Sequence, residues 1–94
     1  MRFEWDPRKD KANRKKHGIS FELAQRVFDD PNHLSLQDRQ EGGEERWQTL
    51  GLIGPHAIVL VAHTYEDEHG EEIVRIISAR KATRAERRLY DERT

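Results

Sequence analysis

Residues 75–87 constrain this chain most: Arg75-Ile76-Ile77-Ser78-Ala79-Arg80-Lys81-Ala82-Thr83-Arg84-Ala85-Glu86-Arg87. An apolar strand pattern carries an arginine near each end and runs straight into a basic helix. Buried strands seldom hold two ionised side chains. A guanidinium is always charged, and its planar fork of donors suits phosphate. The segment therefore predicts a phosphate-facing surface built on a sheet, and with it a nucleic-acid or nucleotide partner.

The rest of the chain sets limits on that surface. Its 94 residues make one small domain, residues 1–94, of which 34% are apolar and 37% charged. Such a domain leaves much of its surface in water and gains stability from a bound partner. The absence of cysteine excludes a disulfide framework and a cysteine–zinc site, and suits a reducing cytosol. No apolar run approaches the ~20 residues of a membrane span, and the polar N-terminus is unlike a signal peptide. Net charge is only −1, but it is unevenly spread. Residues 8–16 carry six bases and one acid, residues 75–88 six bases and one acid, and residues 29–72 eleven acids and two arginines. The two basic ends form one positive face if they meet in space; otherwise they are solvated helix surfaces.

Periodicity predicts the elements. A strand over 2–5 precedes a helix that Asp6 caps, Pro7 opens and Gly18 ends. Ser20 caps a second helix through about residue 28, with Phe21, Ala24, Val27 and Phe28 on one apolar face; Asp30-Pro31 stops it. A short edge strand at 34–39 and a turn or mobile loop over 40–44, with Gly42-Gly43, follow. Strands are expected over 46–53, 57–65 and 73–79, joined by a Gly54-Pro55-His56 turn and an acidic loop at 66–71. Thr83 and Glu86 form a capping box for a final helix. The expected class is α+β: an antiparallel sheet with two N-terminal helices and one C-terminal helix, the helices on one side.

Hairpin symmetry predicts contacts. A 66–71 loop centred on residue 69 sets His63 opposite Arg75. A turn centred on Pro55 sets Trp47 opposite His63, and Arg46 opposite Thr64 on the other face. A one-residue slip exchanges the faces. Histidine, arginine and aromatic side by side suit a nucleotide: the aromatic stacks, the arginine takes the phosphate, the histidine exchanges protons. Arg75 and Arg80 differ in parity and share a face only if a bulge or the strand end intervenes.

Other polar residues admit two readings. His17 is a proton donor or phosphate contact, or a helix-terminal histidine favoured by the dipole. Glu45 beside Arg46 is a general base or a surface ion pair. His33, His56 and His69 read as surface residues, and the five histidines lack metal-ligand spacing. Phe3 and Trp5 read as core. No glycine-rich phosphate loop or nucleophile elbow is present.

Together Phe3-x-Trp5-Asp6, Lys11-Ala12-Asn13, Lys16-His17-Gly18, Ser20-Phe21-Glu22-x-Ala24, Val27-Phe28, Glu45-Arg46, the 75–83 segment, Glu86-Arg87 and Tyr90 resemble the BrnT toxins. The resemblance covers nearly the whole chain in order. It implies a ribonuclease toxin of a bacterial type II toxin–antitoxin system, with a RelE-like fold. Such a toxin blocks translation by cutting RNA, acts in the cytoplasm, and is neutralised by a BrnA antitoxin. That antitoxin carries the DNA-binding domain through which the complex reaches its operator, and two toxins pair with two antitoxins. The matching polar positions are Lys16, His17, Glu45, Arg46, Arg75, Ser78, Arg80, Thr83 and Glu86. The near-neutral charge departs from the basic habit of such toxins, so the grip on RNA would need help such as a ribosome.

The expected chemistry is metal-free attack of a 2′-hydroxyl on the neighbouring phosphorus, with no cofactor. Arg75, Arg80 and Arg46 are the expected phosphorane-stabilising cations, and His63 or Glu45 the base. His17 or a lysine near it is the acid or phosphate contact. Lys16, His17, Trp47, Lys81 and Arg84 make up the RNA-binding set. The alternative is a non-catalytic nucleic-acid-binding or repressor-assembly module.

Overall fold

The computed structural model describes residues 1–55 and 57–93, so the surface placement expected of His56 lies outside the described residues. The chain begins with β1 (Arg2–Glu4) and α1 (Pro7–His17). Asp6 accepts the Arg8 amide at 2.8 Å and Pro7 occupies the first turn. Gly18 closes the helix in the left-handed region (φ 73°), its amide donating to the Arg14 carbonyl. Ser20 Oγ then caps α2 through the Leu23 amide at 3.0 Å.

The second helix is shorter than its apolar periodicity predicts. α2 (Phe21–Ala24) tightens into a 3₁₀ turn, Gln25–Asp29. That turn sets Val27 on the backbone of Gly51, where a Cβ would come within 2.6 Å of Val27 Cγ1. Close approach, rather than turn geometry, is what requires glycine there.

Four longer elements follow: β2 (Leu34–Glu41), β3 (Glu44–Ile53), β4 (Ala57–Glu68) and β5 (Glu71–Lys81), then α3 (Arg84–Arg93). The sheet order is β1-β5-β4-β3-β2. β1 runs parallel to β5, so the sheet is mixed rather than purely antiparallel. No hairpin joins these two strands, so no tight turn imposes the antiparallel sense. The acidic stretch at 66–71 is not a loop. His69 and Gly70 (φ 55° and 83°) form a two-residue turn, and both strands continue to the pair Glu68↔Glu71. Two positive-φ residues match the twist of a hairpin, which is why the strands need no longer connection.

The helices lie on both faces, not one. Ile19, Phe21, Ala24 and Val27 cover Val59, Val61, Val74, Ile76 and Ala79 on the first face. Tyr90 of α3 covers Leu50, Ile58 and Leu60 on the second. At the sheet's edge Asp30 ties the layers together. Its carboxylate accepts the amides of Asn32 and Leu52 at 2.9 and 2.8 Å and the Tyr90 hydroxyl. Among the described residues no helix is long and apolar enough to cross a membrane.

Asn13 closes the outer edge of β5. β1 pairs with β5 only at Ile73–Arg75. Further along, buried Asn13 donates to the carbonyls of Ala79 and Ile19 at 2.8 and 2.9 Å and accepts the Ala79 amide at 3.1 Å. One side chain thus does for Ala79 what a neighbouring strand would do. Asn13→Ala strands three buried backbone groups and is expected to cost about 2–4 kcal/mol. A lower urea midpoint with an unchanged slope checks this; an unchanged midpoint contradicts it.

Candidate nucleic-acid interface

Val59, Val61 and His63 of β4 point into the helical layer, so Leu60, Ala62 and Thr64 point to the second face. The register places Arg75 opposite Thr64, not opposite His63 as hairpin symmetry predicts. The two-residue turn centres between His69 and Gly70, and that half-step carries Arg75 to the other face. Beyond it the register shifts: His63 pairs with Ile76 but Ala62 pairs with Ser78, leaving Ile77 as an extra residue. This bulge brings Ser78 and Arg80, opposite Ala62 and Leu60, onto the face of Arg75. Thr64 and Leu60 are four residues apart, so the two arginine rows lie about 13 Å apart along the strands.

The Trp47↔His63 pair is as expected from the Pro55 turn. Trp47 packs edge-on against Tyr65 of the first face, ring centroids 5.7 Å apart, so alternation turns its neighbour Arg46 to the second face. Arg46 Nε and Thr64 Oγ1 are both buried without a hydrogen-bond partner. Buried polar atoms without a protein partner are rare, and here two share one face with Arg75. Between this row and α3 the floor is small and partly open, built from Ser78 and Ala62.

Arg80 is held differently. Its guanidinium forks onto Glu86 at 2.8 and 2.9 Å, while Glu86 also accepts the Thr83 amide and Thr83 Oγ1 accepts the Glu86 amide. The Arg80 hydrogen bonds draw the Glu86 carboxyl down to about 2, against the opposing effect of burial. Arg80 thus orients the first turn of α3. Arg84, Arg87 and Arg88 line a recess of about 500 Å³ there with Ala82 and Asp91. Lys81 and Arg87 line another, of about 400 Å³, at the end of β5.

On the opposite flank, Glu4, Trp5, Asp6, Lys9, Arg75 and Ile76 enclose a recess of about 380 Å³. Lys9 belongs to α1, so the first basic segment meets the last across the β1–β5 edge. Lys16 lies seven residues on, about 10 Å along the helix axis and on the same flank as Lys9. His17 shares instead the face of Asp10 and Asn13, which bond to Phe21 and Ala79 inside the molecule.

His63, Trp47 and Glu45 do not join the arginines. His63 is fully buried, its Nε2 2.6 Å from Thr49 Oγ1 and its ring edge-on to Phe28 and Tyr65. Burial pushes its pKa down to about 4, so it is neutral and sealed in the helical layer. Glu45 is exposed, on Trp47's side of β3 by alternation, and lines a recess with Glu44 and Glu66. The residues that sequence reasoning missed are Glu4 and Lys9. Glu4 pairs with Arg75, and Lys9 lines the same recess, only because β1 docks beside β5, most of the chain away. The bulge left a trace, since inward apolar positions fall at 74, 76 and then 79. Among the described residues no group of three or more His, Asp or Glu side chains is placed to hold a metal ion.

A family model for the ribonuclease toxin BrnT of type II toxin–antitoxin systems matches residues 5–86. Among solved structures, the 1.1 Å crystal structure of the Brucella abortus ribonuclease toxin BrnT is similar, with a TM-score of 0.62 and 25% sequence identity. The match covers 89% of this chain and 99% of that one. No curated protein sequence matches the chain.

The buried state of His63 has a pH signature. Its contribution to stability is complete above its ordinary value of 6.5 and is lost as pH falls towards about 4, because the unfolded chain binds a proton that the folded one refuses. Urea unfolding at a series of pH values should show the wild-type advantage over His63→Gln shrinking across that window. A constant difference would mean that the folded imidazole titrates normally.

Proposed function

The chain belongs to the BrnT family, the ribonuclease toxins of type II toxin–antitoxin systems, and on that premise we propose that it cuts RNA on the open arginine face of its sheet, without a metal ion. The 2′-oxygen attacks the adjacent phosphorus and the bond to the 5′-oxygen breaks. The products are a 2′,3′-cyclic phosphate and a free 5′-hydroxyl. Arg75 and Arg46 neutralise the charge that gathers on the phosphorane oxygens. Arg80, committed to Glu86, positions α3. Lys9 and Lys16 on one flank, and Lys81, Arg84 and Arg87 on the other, take the flanking phosphates. Trp47, His17, His63 and Glu45 fall outside this set.

The observation that carries this reading is the register of the His69–Gly70 turn, which sets Arg75 opposite Thr64 in the row of Arg46, while the bulge at Ile77 keeps Ser78 and Arg80 on the same face. Arg46 Nε and Thr64 Oγ1 both lie beneath the surface and mark an unpaired polar row under it, and the exposed guanidinium of Arg75 is the group that meets a phosphate oxygen. In a cell the consequence is inhibited translation in the bacterial cytoplasm. A type II toxin has an antitoxin partner. A BrnA-type antitoxin that covers the arginine face with acidic groups would block it, and operator DNA would be reached only through that complex.

Purified chain should cleave RNA in EDTA, leave cyclic-phosphate ends, and fail on RNA carrying a 2′-deoxy nucleotide at the cut. Arg75→Ala should slow cleavage by about 10²–10³-fold with the fold intact. RNA binding without any cleavage would favour the non-catalytic binding module instead.

A further inference from the structure

The reaction needs a group to take the 2′-proton, and that group must sit within a few ångströms of the cation that holds the phosphorus. His63 is sealed on the far face and Glu45 lies on that side too. Glu86 spends both carboxylate oxygens on Arg80 and one of them also on the Thr83 amide. Glu66 stands opposite Ile73 on the open face, but lines its recess with Glu44 and Glu45, where carboxylates crowd together and repel a phosphate.

Glu4 is placed differently. The register sets it directly opposite Arg75, on the same face. Its Oε1 is 3.7 Å from Arg75 Nε, and both side chains are substantially open to solvent, 40% and 51% exposed. The recess they share also holds Lys9 and Asp6, so its two carboxylates are balanced by two cations and a phosphate can enter. Asp6 is occupied by the helix cap, where it accepts the Arg8 amide.

Resting on the nuclease reading above, we propose that Glu4 is the general base, and that it contacts the ribose 2′-hydroxyl while Arg75 holds the adjacent phosphoryl group. The 2′-proton passes to the Glu4 carboxylate as the new O–P bond forms, and the bond to the 5′-oxygen breaks with proton delivery from solvent or a neighbouring cation. Entry of the phosphate draws Arg75 off Glu4 and leaves the carboxylate free to accept the proton. An exposed ion pair of this length contributes little to stability, so replacing Glu4 leaves the fold standing.

The test is single-turnover cleavage of a short RNA by the full chain in EDTA, followed from acidic to neutral pH. Binding of the same RNA with a 2′-deoxy nucleotide at the cut is measured in parallel. Glu4→Gln should slow cleavage by about 10²–10³-fold, abolish the acidic limb of the pH–rate profile and leave binding unchanged. Glu4→Asp should keep the limb at an intermediate rate. A Glu4→Gln protein that cleaves at the wild-type rate, or keeps the acidic limb, overturns the assignment while the nuclease reading stands. Loss of binding in step with cleavage overturns it as well, and makes Glu4 a positioning residue for Arg75. Wild-type chain that cuts nothing removes the nuclease reading and the assignment together.

Discussion

One extra residue, Ile77, determines what the exposed face of this sheet can do. Were the same residues to alternate regularly, with Ile77 paired and no bulge, Arg75 and Arg80 would fall on opposite faces, and Arg80 would point into the helical layer with Ala79's place taken by Ser78. With the bulge, the apolar side chains at 74, 76 and 79 stay inside while Arg75, Ser78 and Arg80 share the outside. The same device lets Arg80 reach forward to Glu86, so strand, bulge and helix cap form one continuous unit. Bulges of this kind re-aim side chains next to sites where chemistry is done.

The two faces divide the labour by chemistry. The helical layer holds most of the aromatic side chains, much of the buried β-branched core and a neutral histidine. The second face is only half covered by α3, and the open half keeps its arginines. Overall charge near zero therefore conceals a local field. Acids gather at the hairpin end of the sheet around Glu44, Glu45 and Glu66, and bases on α1, β5 and α3. A polyanion approaching such a surface is steered to one end of it, and the effect fades as salt screens it. The partial neutralisation of Arg75 by Glu4 and of Arg80 by Glu86 keeps the empty face from carrying bare, closely spaced charge.

Local rules were enough for much of the fold. Asp6-Pro7, Gly18, Ser20 and the Thr83–Glu86 box each act within one helical turn, and each element begins or ends where they dictate. The Trp47↔His63 pair follows from a short turn for the same reason. What escaped was long-range or rested on a half-residue. A type of turn moved Arg75 across the sheet. The adjacency of β1 and β5, with its parallel sense, depends on contacts spanning most of the chain, and so does the placing of Glu4 and Lys9 beside the recess of Arg75. The placement of α3 on the second face follows from Leu50, Ile58 and Leu60 needing cover, which a strand's alternation shows only once its inward face is known. His63 looked available because a histidine in a strand reads the same whether buried or exposed.

The central claim is that RNA lies on the arginine face and not on the histidine face. Nuclear magnetic resonance of the chain titrated with RNA blocked by a 2′-deoxy nucleotide at the cut tests it most directly. The account predicts that the side-chain signals of Arg46 and Arg75 and the amides of Ala62 and Ser78 shift, while the His63 ring and the Trp47 indole stay where they are. Shifts centred on His63, Trp47 and Glu45, with Arg46 and Arg75 unmoved, would contradict it.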